Sequence, residues 1–215
     1  DFKTALAEWT PLAEQGNYNA QYNLGIMYAN GDGVPENDKT AVKWYTLAAE
    51  QGNVEPQYNL GVMYANGEGV PENDKTAAKW FNLAAEQGDA RAQSNLGVMY
   101  EYGKGVPEND KTAVKWYTLA AKQGNAKSQF NLGLMYANGK GVPENDKTTV
   151  KWYTLAADQG DAAAQVNLGI MYEDGRGVPK NNNTAVKWFT LAAMQGYAKA
   201  QNNMGIMYEN GRGVQ

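Results

Sequence analysis

Leu24, Met27 and Tyr28 follow Ala20 at i+4, i+7 and i+8, which places all four on one face of a helix, here called helix A. A second apolar series, Ala41, Trp44, Tyr45 and Ala48, runs at i, i+3, i+4 and i+7 and predicts a helix B. Asn30-Gly31 would suggest a hairpin between strands, but helical periodicity on both sides makes Gly31 the glycine that ends helix A. Gly33, Val34 and Pro35 then form a tight connection, Asn37 or Asp38 caps helix B, and Gly52 stops it. Asn17 is placed to cap helix A, with Asn53, Asp89, Asn125 and Asp161 as its counterparts further along. Gly25 falls in mid-helix, where it costs about 0.8 to 1 kcal/mol against alanine. Its presence there predicts that helix A approaches a neighbouring backbone too closely for a side chain.

The whole pattern returns every 36 residues. Gly25, Gly61, Gly97, Gly133, Gly169 and Gly205 keep the register, and all 24 glycines fall at one of four repeat positions. The glycine content is therefore punctuation, not disorder. A fixed period of this size predicts an all-α solenoid of helix-turn-helix repeats. One array over 1–215 is expected: a helix B alone in 1–16, full repeats at 17–52, 53–88, 89–124, 125–160 and 161–196, and a helix A alone in 197–215. Trp44, Trp80, Trp116, Trp152 and Trp188 share one position and are expected in the core. The first segment is degenerate, with Glu8 where a tryptophan belongs and Trp9 and Pro11 displaced. The last helix A has no helix B over its apolar face, which suggests a truncated or longer array, or self-association through that end.

Composition narrows the function classes. The formal charge is −4 and the basic residues are dispersed, so nucleic acid is a poor partner. No apolar run approaches the roughly 20 residues that span a bilayer, and Asp1-Phe2-Lys3 carries no signal-peptide pattern, so membrane insertion is not expected. The chain has neither cysteine nor histidine, which removes thiolate chemistry, the usual general base and the commonest transition-metal ligand. No glycine-rich loop opens a phosphate-binding helix, because Gly31-x-Gly33 ends one. We therefore read the chain as non-enzymatic and without a cofactor. The acidic turn Asp32, Glu36, Asn37, Asp38 offers oxygen ligands, but its spacing is not that of an EF-hand and helix capping accounts for it, so no metal is assigned.

The segment AQYNLGIMYANGDGVPENDKTAVKWYTLAAEQG resembles the Sel1-like repeat, a relative of the tetratricopeptide repeat, and the likeness extends over essentially the whole chain. The resemblance implies a right-handed superhelix of αα-hairpins with helix A lining the concave side, and an adaptor or scaffold that gathers other proteins. It also implies a bacterial source. A beginning like DFKTALAEWTPLAEQG follows an export signal in such arrays, which favours a periplasmic or secreted protein over a cytoplasmic one.

Differences between the copies point to candidate partner-binding positions on helix A. One position runs Tyr22, Tyr58, Ser94, Phe130, Val166, Asn202, and three residues earlier stand Asn19, Glu55, Arg91, Lys127, Ala163, Lys199. Beside them Asn23, Asn59, Asn95, Asn131, Asn167 and Asn203 form an unbroken series. In related tetratricopeptide repeats the matching asparagine bonds the backbone of a bound peptide, a task that suits an amide because it both donates and accepts. The alternative is that each asparagine satisfies a neighbouring repeat or faces water. Tyr22, Tyr58 and Phe130, flanked by Ile26, Val62 and Leu134, either form shallow pockets or pack between helices. The polar Ser94 and Asn202 in that series argue for an exposed groove. A charge series, Asp32, Glu68, Lys104, Lys140, Arg176, Arg212, follows helix A and reads as drift on a solvated turn, with no binding role assigned. The expected function is a scaffold that binds a protein or peptide through Asn19, Tyr22, Tyr58, Arg91, Lys127, Phe130 and the asparagine series, with a structural or self-associating array as the alternative.

Overall fold

A computed structural model describes residues 2–213, and all the regular secondary structure described in it is helical. The helices are α1 (Phe2–Glu14), α2 (Tyr18–Asn30), α3 (Asp38–Ala49), α4 (Val54–Asn66), α5 (Asp74–Glu86) and α6 (Ala90–Tyr102). They continue as α7 (Asp110–Lys122), α8 (Ala126–Asn138), α9 (Asp146–Asp158), α10 (Ala162–Asp174), α11 (Asn182–Met194) and α12 (Ala198–Glu209). The even-numbered helices are the predicted A helices and the odd-numbered ones the B helices. They gather into two compact units, Asp1–Glu108 and Asn109–Gln215. Within each unit every helix packs against the next one in the chain, as a stack of helix pairs requires.

The helix ends follow from their capping residues. Asn37, Asn73, Asn109, Asn145 and Asn181 each accept a bond from the backbone N–H three residues on, at the start of a B helix. Each such cap contributes about 1 kcal/mol. Asn17, Asp89, Asn125 and Asp161 cap A helices in the same way. Asn53 does not: its side-chain amide donates instead to the Ala48 carbonyl at 3.1 Å, tying α4 back to α3. Gly31 closes α2 in the left-handed region at φ 74°, and its N–H and that of Asp32 both bond to the Met27 carbonyl. Only glycine enters that region without strain.

Gly25, Gly61, Gly133 and Gly169 make room in mid-helix for a ring and not, as the sequence suggests, for a backbone. A Cβ on Gly25 would overlap the Tyr45 ring of its own repeat, and one on Gly61, Gly133 or Gly169 would overlap Phe81, Tyr153 or Phe189. Helices A and B are thus held together by an aromatic ring laid flat on a bare stretch of helix. In unit 1 these rings lie in a core with Leu24, Met27, Leu60 and Met63; in unit 2 with Leu132, Met135, Leu168 and Met171. Trp44 and Trp152 are buried, while Trp80, Trp116 and Trp188 are half-buried. Trp80 packs back onto the cluster of Ala41, Tyr45 and Leu60, and Trp188 onto that of Tyr153 and Leu168.

A glutamine relay joins consecutive helices through the otherwise apolar core. Buried Gln57 donates to the Ala49 carbonyl at 3.2 Å and accepts from Gln87 at 2.8 Å. In unit 2, Gln129 bonds Ala121 and Gln159, and Gln165 bonds Ala157 and Gln195. Each relay adds a second bond to a carbonyl in the last turn of a B helix, where Ala49, Ala121 and Ala157 otherwise accept only from the N–H groups of the turn that follows.

Candidate binding clefts

The stacking of helix pairs leaves a cleft between successive A helices. In unit 1 a cleft of about 480 Å³ is walled by Ile26 and Ala29 of α2, Tyr58, Asn59 and Val62 of α4, and has Tyr45 of α3 at its base. Asn30, Asp38 and Glu68 stand at its rim. The corresponding cleft in unit 2, about 320 Å³, is walled by Leu134, Ala137, Asn167 and Ile170, with Tyr153 at the base and Asn138, Arg176 and Lys199 at the rim. Ile26, Ala29, Asn30, Tyr45, Asn59, Val62, Met63 and Glu68 of the first each have a counterpart in the second 108 positions on, three repeat lengths, whereas Asp38, Tyr58 and Lys199 line one cleft alone. The combination of aliphatic walls with a few polar groups is the usual lining of a ligand cleft.

The asparagine series has an internal use. Burial foremost, and Tyr22 beside it, push the Tyr45 hydroxyl up to about 12, while a hydrogen bond with the Asn59 side chain draws it down. Tyr153 is likewise pushed up to about 12 by burial, against lowering by its hydrogen bond with Asn167 and by nearby Arg176. Asn59 and Asn167 therefore serve the helix B tyrosine of the preceding repeat, the structural alternative, while still lining the clefts. Asn23, Asn95, Asn131 and Asn203 are also half-buried. Phe81 and Phe189 replace the tyrosine opposite Asn95 and Asn203, so those two amides have no hydroxyl to meet.

The aromatic series is packed as well as partly open. Tyr22, Tyr58 and Phe130 are half-buried, each with its ring centroid 5.8 Å from that of Tyr45, Phe81 or Tyr153. The polar residues of this series do not together mark an exposed groove: Ser94 is buried at 3%, whereas Asn202 is exposed on α12. Asn19, Arg91 and Lys127 are exposed. Arg91 is already engaged, with its guanidinium 4.2 Å from the Tyr58 ring centroid and paired to Asp89. Burial raises Asp89, but hydrogen bonds from Arg91 and from the Ala92 and Arg91 backbone outweigh it and hold the carboxyl below its usual range.

The turn after helix A is more than drift. Arg176 bonds Asp146 at 2.8 Å and reaches Glu144 at 3.5 Å, bridging two repeats, and Arg212 bonds Glu173 at 2.7 Å. The charge series and the glutamine relay share a reason for escaping a local reading, since Arg176 and Asp146, like Gln87 and Gln57, stand 30 residues apart. The glutamine partners repeat with the 36-residue period, and that was the available signal, whereas the charge partners do not, since Arg212 bonds Glu173 and Asn182 stands at the position of Asp146. No group of three or more acidic, histidine or cysteine side chains gathers as a metal site among the described residues, and no helix described is long and apolar enough to cross a membrane.

Comparison with known proteins agrees with this architecture. A comparison with curated proteins found no match. Among solved structures, c5321, a protective antigen present in uropathogenic Escherichia coli strains, is 41% identical with a TM-score of 0.94 over 98% of this chain and 45% of its own. The chain thus spans less than half of that protein. A Sel1 repeat protein from Oxalobacter formigenes is 33% identical with a TM-score of 0.87, covering 100% of this chain and 86% of its own. A Klebsiella pneumoniae structure at 20% identity and TM-score 0.54 shares the fold alone. Sel1 repeat proteins are in general non-enzymatic protein-interaction scaffolds. The Sel1 repeat model matches residues 19–53, 57–89, 90–125, 126–161, 162–197 and 198–215, and with all-helical, 36-residue repeats beneath those matches the chain belongs to the Sel1 repeat family, an all-α solenoid.

Proposed function

We propose that this chain is a protein-binding scaffold that takes a segment of a partner along the surface of its A helices. The observation that carries this reading is the recurrence of one cleft in both units, with aliphatic walls, an amide and an aromatic base held in place while the turn residue at the rim changes from Glu68 to Arg176. A fixed frame with a variable rim suits a family of related sites for a polypeptide, because the amides pair with peptide groups and the rim selects side chains. The surrounding exposed positions, Asn19 and Lys127, extend the contact area beyond the clefts.

The test fills the clefts without disturbing the packing beneath. Ala29 and Ala137 occupy a position where other repeats carry Glu101 and Glu173, so Ala29→Gln and Ala137→Gln add a side chain of a length the fold already accepts. Partner capture by the double variant should fall at least about tenfold, an interface loss of about 1.4 kcal/mol. Undiminished capture by a variant with an unchanged thermal transition would move the site off the A helices.

A further inference from the structure

The two equivalent clefts carry opposite charge. The unit 1 cleft presents two carboxylates, Asp38 and Glu68, while Arg91, the counterpart of Lys199, keeps its guanidinium against the wall residue Tyr58 and is neutralised by Asp89. Its unit 2 counterpart presents Arg176 and Lys199 and no acidic residue. The inversion rests mainly on one turn position: Glu68 in the first cleft becomes Arg176 in the second. Arg176 holds Asp146, the counterpart of Asp38, in a 2.8 Å ion pair, whereas neither Asp38 nor Glu68 has a basic ion-pair partner among the described residues. The Glu68 carboxylate accepts from Asn66 at 2.8 Å, which fixes its position at the rim without neutralising it.

We propose, building on the scaffold reading above, that the unit 1 cleft receives a lysine or arginine side chain of the bound protein segment, and that the unit 2 cleft discriminates against one. The chemistry follows from the lining. An alkyl stem lies along Ile26, Ala29 and Val62, and the cationic head meets Asp38 and Glu68 at the rim. The Tyr58 ring in the wall is taken up by the guanidinium of Arg91 at 4.2 Å, so the incoming cation is held by the two carboxylates and not by that ring. In unit 2 the same stem would bring its head against Arg176 and Lys199, and like charges across an interface reject a partner. A segment read by these clefts is therefore chosen by where its basic residues fall.

Nuclear magnetic resonance titration of the whole chain with blocked Gly-Arg-Gly, Gly-Gln-Gly and Gly-Glu-Gly peptides tests this. The Arg peptide should shift the Asn30, Asn59, Val62 and Glu68 signals and bind there about three- to fivefold more tightly than the Gln peptide, the range expected of exposed ion pairs. The Glu peptide should prefer the signals of Asn138, Asn167, Ile170 and Arg176. Glu68→Arg reproduces in unit 1 the pairing that Arg176 makes with Asp146, at a position already filled by Lys104, Lys140, Arg176 and Arg212 elsewhere, and should abolish the Arg preference. Equal shifts from the three peptides, an Arg preference that survives Glu68→Arg, or no shift at these residues would each overturn the charge assignment. The scaffold reading is judged separately, since the cleft-filling double variant acts on partner capture whatever the charge of the partner.

Discussion

The Tyr45 ring lies on Gly25, closing α3 onto α2 with no side chain between them. Exchange of this glycine therefore sets two effects against each other. Alanine would gain about 0.8 to 1 kcal/mol of helix propensity. It would also force its methyl group into a packed ring, and overpacking costs about 1 to 3 kcal/mol. Gly25→Ala and Gly133→Ala should lower the thermal midpoint, whereas Gly205→Ala, with nothing within 4 Å of its Cβ, should raise it. A uniform rise across the three variants would show that the rings yield freely.

Burial of the same ring gives the protein an alkaline limit. Tyr45 and Tyr153 titrate near 12 in the folded chain against an ordinary 10.0. Because the folded value is raised, the stabilisation is fully present below pH 10 and is lost as pH climbs from about 10 to 12. At about 1.4 kcal/mol per unit, each tyrosine accounts for up to about 3 kcal/mol over that window. Tyr45→Phe with Tyr153→Phe should move alkaline unfolding, followed by far-ultraviolet circular dichroism, to higher pH, and Phe81 and Phe189 show that the position accepts the change. An unaltered alkaline transition would mean that these hydroxyls are not the titrating groups.

The glutamine relay is the next element with a clear cost. Gln129→Leu removes a buried amide and leaves the Ala121 carbonyl and the Gln159 amide each without that partner. The Ala121 carbonyl keeps the Gly124 N–H and the Gln159 amide keeps the Leu155 carbonyl, so the loss is that of two hydrogen bonds, about 0.5 to 1.5 kcal/mol each, and the urea midpoint should fall by an amount visible in a single denaturation curve. Gln159→Ala should cost less, since Gln129 then keeps its bond to Ala121 and Gln159 itself is exposed. Equal losses from the two variants would contradict the relay.

These cases show what could be read along the chain. Helix positions and most caps were legible, because Leu24 and Met27, or Asn37 and Thr40, act within one or two turns of each other. The glycine at 25 was legible as a point of close approach, but not what approaches it, since Tyr45 lies on the other helix. The asparagine series was legible as a repeat and ambiguous in purpose. Asn59 meets Tyr45 across the junction between repeats, and local periodicity carries no information about such a junction. Ser94 misled for a related reason: its polarity suggested solvent, but its place in the stack buries it. The clefts are products of stacking, so their walls could be suspected from variation, while the opposed charge of Glu68 and Arg176 acquired meaning only with Asp38 and Asp146 in place.

The junction itself is best probed at Gly69, where φ is +68° and a Cβ would overlap the carbonyl carbon and oxygen of Asp38 in the preceding repeat. Gly52 makes the control: its φ is +92°, but nothing lies within 4 Å of its Cβ position. Gly52→Ala bears only the cost of a left-handed backbone, about 1 to 2 kcal/mol. Gly69→Ala bears that cost and must also push one repeat away from the next, because the obstructing atoms belong to backbone and cannot rotate aside. Its loss of stability by urea denaturation should exceed that of Gly52→Ala by at least about 1 kcal/mol. The displacement should also loosen the rim at Glu68, one residue away, so Arg-peptide binding to the unit 1 cleft should weaken in Gly69→Ala and stay unchanged in Gly52→Ala. Equal stability and equal peptide binding in the two variants would mean that the turn is free to move away from Asp38, and that the rim of the cleft is not held by the stacking of the repeats.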